Sequence, residues 1–204
     1  ANDAEFLKRY MIPVEVGRGK KAKTISVDEG VFPTTLEGLQ SLKPVLPDGT
    51  ITFGTQTFPA DGNAGAVVTT KERAKDWGKG EEPVQLLSYA TARVEKGYMA
   101  KAVVPAALGA LAKAGVKLDD VKVIKTHNPF AANDIYLARR MKIDIDTFNN
   151  FGSSLIFGHP QAPTAGRLII EGIEELVDLG GGYMLFTGCA AGDTGAALVL
   201  KING

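Results

Sequence analysis

Three short segments set reactive side chains beside residues that break regular structure, where a backbone can present them to a substrate. Thr126-His127-Asn128-Pro129-Phe130 stands between a predicted strand and a predicted helix. Gly158-His159-Pro160-Gln161-Ala162-Pro163-Thr164 leads into the clearest amphipathic helix of the chain. Gly188-Cys189-Ala190-Ala191-Gly192-Asp193-Thr194-Gly195 reads as the turn between the last two strands. Both histidines and the only cysteine of the 204 residues fall in these places. Side chains able to exchange protons near neutrality therefore gather at element junctions, which suits acid–base and thiol chemistry. Each also has an ordinary reading: a lone cysteine is a small buried hydrophobe, and a histidine at a strand end is a hydrogen-bonded structural residue. His159 is the better placed of the two histidines, because the start of the following helix disfavours the imidazolium and favours a neutral base. A single cysteine excludes an internal disulfide and a thiolate zinc site, and no metal is expected.

The elements that must hold these segments read as regular α/β from Ile51 onward. Ala64 to Thr70 is a small-residue apolar run suited to a buried strand or helix, and residues 71 to 75 start a short helix. Val84 to Val94 and Val121 to Lys125 read as strands, Pro105 to Ala114 and Pro129 to Met141 as helices, the first closed by Gly115. In the helix from Pro163 to Leu179, Ala165, Leu168, Ile169, Ile173, Leu176 and Val177 keep a 3.6-residue period. Glu171, Glu174, Glu175 and Asp178 occupy the other face, read as the solvent side. Gly180-Gly181-Gly182 ends that helix, and strands follow at Tyr183 to Thr187 and Ala196 to Ile202. The first fifty residues differ: residues 11–30 alternate around a basic tip, Gly17 to Lys23, and predict an extended hairpin. The Pro- and Gly-rich stretch after it has room for one short helix near Leu36 to Leu42 and reads as a covering loop.

Composition narrows the partners. With 45% hydrophobic and 23% charged residues the chain can bury a core. Lys+Arg and Asp+Glu are equal at 23 each, so no global charge draws it to nucleic acid or an anionic membrane. An anionic ligand must be held by local charge or backbone amides. The apolar stretches are broken short of a membrane span. The start, Ala1-Asn2-Asp3-Ala4-Glu5, has neither the basic residues nor the apolar run of a signal peptide. A cytoplasmic setting is the default expectation.

The same motifs carry a family resemblance. GHPQAPTAGR resembles the thiolase histidine motif GHPxGxSGxR, and GCAAGDTGAALV the cysteine motif CxGGGxGxALV. NNFGSS is similar to the lead-in NxxGG, THNPFA stands where thiolases have NEAFA or HDCF, and DGTITFGTQTFPADGNAGAVV resembles DGTVTAGNASGxNDGAAAV. The resemblance covers nearly the whole chain in order. It implies a thiolase-type α/β fold: a C-terminal βαβαβαββ domain over residues 65–204, preceded by residues 1–64 as the CoA-covering loops and the end of the N-terminal half.

By that resemblance the chain cleaves 3-oxoacyl-CoA with CoA, or condenses acyl-CoAs in reverse. CoA is a substrate, and no other cofactor is implied. His159 is implied to activate a nucleophilic cysteine and, with His127, to hold the thioester oxygen. Cys189 is implied to move a proton at the carbon α to the thioester, or on the CoA sulfur. Asn128 and the backbone at Ala191 and Gly192 are placed with the oxyanion and substrate contacts, and Thr57 near the pantetheine. Arg18, Lys20, Lys21 and Lys23 suggest a CoA-phosphate contact by charge, against the plainer reading of a solvated turn. Departures bear on the acyl substrate, which stays open: Ala162, Ala165, Ala191 and Asp193 replace family glycines, Thr55-Gln56-Thr57 replaces Asn-Ala-Ser, and His127-Asn128 resembles the sterol-carrier-type variant. Cys189 being the only cysteine, the acyl-carrying nucleophile is expected on a complementary N-terminal thiolase chain in obligate association, with a further dimer of that pair. The alternatives are a ketoacyl-synthase-like condensing protein and a non-catalytic CoA- or lipid-binding subunit.

Overall fold

A computed structural model describes residues 4–78 and 83–204, so the opening Ala1-Asn2-Asp3 lies outside the described residues. A short helix α1 (Ala4–Leu7) precedes a two-stranded antiparallel hairpin, β1 (Val14–Val16) and β2 (Lys23–Ile25). Gly17 reverses the chain at φ 85°, and a Cβ there would meet the Lys21 carbonyl oxygen at 2.4 Å. Only glycine fits that corner. Helix α2 (Leu36–Gln40) is capped by Thr35, whose hydroxyl accepts the Gly38 N–H, and α3 (Lys71–Trp77) by Thr70, which accepts that of Arg73.

Residues 51–70 form no helix or strand beyond isolated bridges, Gln56 to Phe130 and Pro59 to His159. This corrects two expectations, regular α/β from Ile51 and a buried element at Ala64 to Thr70. Val67 and Val68 are 76% and 85% exposed. An unpatterned apolar run says that a segment tends to be covered, but not by what.

The core follows: β3 (Gln85–Arg93), α4 (Val103–Ala114), β4 (Val121–His127), α5 (Ala131–Met141), α6 (Ser154–Phe157), α7 (Pro163–Asp178), β5 (Gly182–Ala190) and β6 (Thr194–Ile202). The sheet runs β3-β6-β5-β4, with β4 and β5 parallel and the other pairs antiparallel. Alternation along the strands sends Ile124, Leu185, Cys189, Ala197 and Val199 to one side, where α4 and α5 supply Ala106, Ala107, Ala110, Leu111 and Leu137. Val123, Met184, Phe186, Leu200 and Ile202 point the other way, onto Leu168 and Leu176 of α7. Helix α4 ends where the sequence placed its end, with Gly115 at φ 67° donating its N–H to the Leu111 and Ala112 carbonyls. Among the described residues no helix is long and apolar enough to cross a membrane.

Three further expectations change. The βαβαβαββ pattern has a strand before its last helix, but here residues 148–151 make one ladder-like bond, Asn149 N–H to the Ile124 carbonyl at 3.1 Å. Asn149 sits at φ 55°, which breaks an extended run at its start. Second, β5 and β6 pair to their ends, Cys189 opposite Gly195 and Ala190 opposite Thr194. The turn shrinks to residues 191–193, with Gly192 and Asp193 at φ 84° and 60° making the reversal, so Cys189 lies on a strand.

Third, the acidic face of α7 is the solvent side only in part: Asp178 is exposed and Glu174 half-buried, but Glu171 is fully buried and Glu175 is 6% exposed, whereas Val177 is 52% exposed. Lys125 of β4, itself fully buried, places its Nζ 2.6 Å from Glu171 Oε1 and 2.8 Å from Glu175 Oε2. The N-terminal segment covers the same helix: Tyr10 donates its hydroxyl to Glu171 Oε2 at 3.0 Å, and Arg9 pairs with Asp178 at 2.5 Å. Helix α7 therefore lies between the sheet and this segment, and its buried stripe is wider than its apolar one.

Candidate active site

Parallel pairing of β4 with β5 brings two of the three reactive segments together. His127, the last residue of β4, lies in register with Gly188, next to Cys189. The third arrives through α6 and the entry to α7: the His159 N–H donates to the Phe58 carbonyl at 2.7 Å, fixing that loop to residues 52–60. The two imidazoles then stand with ring centroids 4.4 Å apart at 36°. His127 Nδ1 is 2.7 Å from Ser154 Oγ, and His159 Nδ1 is 2.7 Å from Thr164 Oγ1, both hydroxyls being buried. Each ring is thus held at Nδ1 and keeps Nε2 for a ligand.

Burial governs the electrostatics. It pushes the His127 pKa down to about 4, helped by the neighbouring His159, and lowers His159 as well. Both imidazoles are neutral near pH 7, able to donate or accept a hydrogen bond without carrying charge into the site. Burial raises the Cys189 thiol, the Asn133 amide opposes this through Nδ2 at 3.2 Å from Sγ, and the Asp134 carboxylate adds to the rise. A protonated thiol there can give a proton and its thiolate can take one, but the thiol is a poor resting nucleophile. No group of three or more His, Cys, Asp or Glu among the described residues is arranged to hold a metal ion.

The family model for the thiolase C-terminal domain matches residues 82–202, and that for the thiolase N-terminal domain matches residues 1–72. The chain belongs to the thiolase family. It is 34% identical over 203 residues to the mitochondrial 3-ketoacyl-CoA thiolase of Homo sapiens, a match covering 98% of this chain and 51% of that protein. It resembles the crystal structure of the Bacillus anthracis acetyl-CoA acetyltransferase with a TM-score of 0.90 at 28% identity, over 98% of this chain and 51% of the other. The human mitochondrial 3-ketoacyl-CoA thiolase in complex with CoA gives 0.85 at 30% identity, over 100% and 51%. The chain thus spans about half the length of the curated relatives it matches.

Within this thiolase domain the remaining candidates separate. Asn128, expected beside the substrate, is 2% exposed; its Nδ2 donates to Asp134 Oδ2 and its Oδ1 accepts the Leu155 N–H at 3.4 Å. These bonds pin the His127 loop. Thr57 does similar work: its hydroxyl donates to the Ser154 carbonyl at 2.5 Å and its N–H to the Pro129 carbonyl at 2.8 Å. Ala191 and Gly192 are exposed on the turn after Cys189, and Gly192 accepts from Arg93 Nε at 3.2 Å. Arg18, Lys20, Lys21 and Lys23 are exposed on the hairpin, where Lys23 pairs with Glu29 at 2.7 Å.

Sequence reasoning missed the residues behind the reactive ones. Ser154 and Thr164 orient the histidines, although both lay inside recognised segments. Thr126 donates its hydroxyl to Asp134 at 2.6 Å, and Asn149 brackets Thr126, accepting its N–H at 2.8 Å and donating to its hydroxyl at 2.6 Å. Arg167, the last residue of the histidine motif, donates to both Asp28 oxygens at 2.6 and 2.8 Å and lies over the Phe157 ring at 3.4 Å. That bidentate pair ties α7 to the segment after the hairpin.

Proposed function

We propose that this chain supplies the proton-transfer and oxyanion-binding part of a thiolase site, which cleaves 3-oxoacyl-CoA with CoA or condenses acyl-CoAs in reverse. The observation that carries this is the pair of neutral imidazoles 4.4 Å apart, joined through the His127–Gly188 register to the only thiol of the sequence. Two neighbouring imidazoles, each engaged at Nδ1, suit a thioester oxygen that both would reach through Nε2. Donors already in place where enolate charge develops stabilise it without reorganisation. Cys189 moves the proton at carbon α: the thiolate takes it as the C–H pair becomes the enolate, and the thiol returns it in the opposite direction.

Buried and held as a thiol, Cys189 is not suited to carry the acyl group. That role falls to a nucleophilic cysteine from polypeptide outside these 204 residues. Leu86 and Tyr89 on β3 are 55% and 54% exposed, and with Val67 and Val68 they offer apolar surface that such polypeptide could cover. The basic tip supplies cations for CoA phosphates.

The test is thioester cleavage by the assembled protein with and without Cys189→Ser. Loss of a general acid–base should lower kcat about 10²- to 10⁴-fold while acylation elsewhere persists. Unchanged turnover, or an acyl group trapped on Cys189, would overturn the reading.

A further inference from the structure

Asn133, on the first turn of α5, is 1% exposed, and its Nδ2 points to the Cys189 sulfur at 3.2 Å. Its Oδ1 is buried as well and has no hydrogen-bond partner. The amide is therefore not placed to satisfy its own carbonyl; the contact it makes is with the sulfur. The rest of the buried cluster around Cys189 consists of Ala, Val, Leu, Ile, Met and Phe. Polar influence on the thiol comes from Asn133 and Asp134 of α5 and from a backbone hydrogen bond at Cys189 itself, and the His127 imidazole stands beside Gly188 in the strand register. Asp134 is itself engaged at both oxygens, by Thr126 and by Asn128.

We propose that Asn133 is a positioning residue for the Cys189 thiol, donating a hydrogen bond that strengthens when the sulfur becomes thiolate and so setting how readily it yields and recovers its proton. An N–H donor bonds an anionic sulfur far more strongly than a neutral one. The sign agrees with the balance already described, in which burial raises the thiol and the Asn133 bond opposes it. Charge is conserved through the step: thiolate and C–H give thiol and enolate. The bond from Asn133 weakens as the proton arrives, which favours its return. This inference rests on the thiolase reading for its catalytic meaning, but its physical content is a thiol equilibrium measurable without turnover.

The experiment follows the ultraviolet absorbance of the thiolate against pH in the assembled protein. The signal is the difference between each protein and its Cys189→Ser counterpart, so that other cysteines cancel. Asn133→Leu keeps the volume and removes the donor; it should lower the Cys189 thiolate fraction at fixed pH about ten- to hundredfold. The pH dependence of kcat should move with it while KM stays nearly constant. Asn133→Asp, which places a carboxylate against the sulfur, should act in the same direction and serves if the leucine form does not fold. A titration that overlays the parent protein in the folded variant would overturn the inference even if turnover fell, because that would mark Asn133 as structural. Unchanged turnover in Cys189→Ser would instead sink the thiolase reading and leave the titration result standing.

Discussion

Lys125→Met tests the claim that the acidic stripe of α7 is an interior feature. The ammonium hydrogen-bonds Glu171 at 2.6 Å and faces Glu175 at 2.8 Å, where the facing oxygen makes no hydrogen bond and the attraction is Coulombic. Tyr10 and Asn150 satisfy other oxygens of the two carboxylates, at 3.0 and 2.6 Å, so both groups stay anchored when the cation is removed. Two carboxylates are then left buried with no cation in contact, Arg167 acting on Glu171 only from its own pairing with Asp28. Breaking a buried pair from one side costs about 3–5 kcal/mol. With a urea m-value of about 1–3 kcal/mol per M, the unfolding midpoint should fall by at least about 1 M. Circular dichroism against urea gives the midpoint and m together, and an unchanged m shows that the change is one of stability. Replacing all three, Lys125→Met with Glu171→Leu and Glu175→Leu, should recover part of the loss, held back by Tyr10 and Asn150 losing acceptors. A midpoint moved by less than about 0.3 M in Lys125→Met would mean that water reaches these carboxylates, and the packing argument for α7 would fail.

The His127 pKa, held by burial at about 4 against an ordinary 6.5, makes stability depend on pH. Between those values the unfolded chain binds the extra proton and the folded one does not, so stability is full above about 6.5 and is lost as pH falls towards 4. The loss from His127 reaches about 3 kcal/mol. Unfolding free energies across that window should fall more steeply in the parent than in His127→Asn, where the lowered pKa of His159 still contributes a slope of the same sign, and equal slopes would contradict it. Gly188→Ala would place a Cβ 2.9 Å from His127 Cβ and 3.2 Å from the Phe186 ring. The imidazole should shift and kcat fall about tenfold or more with the fold retained; an unaltered kcat would show that its position is not critical.

Much of this domain was legible in the sequence. Gly115 marks the end of α4 because a left-handed cap suits glycine. The short segments around His127, His159 and Cys189 were recognisable because glycine and proline beside reactive residues leave a local signature. Helix α7 follows from its period, but two of its four acidic residues do not face solvent: Glu171 and Glu175 are buried against Lys125, which lies on another element and enters the chain 46 positions earlier than its partner Glu171. A hydropathy pattern reports the average partner of a residue, water for glutamate, and cannot anticipate a buried cation. The same limit hid Ser154, Thr164 and Asn133, polar side chains of ordinary type whose roles exist only because the strand register and the two loops bring histidine and cysteine against them. It also left Ala64 to Thr70 without a partner, since apolar content records a need for cover and not its source. Local backbone chemistry and periodicity therefore determined the elements and the reactive residues, whereas the tertiary structure decided which charges are interior, which hydroxyls orient the imidazoles and which amide meets the thiol, because those depend on distances between segments far apart in the chain.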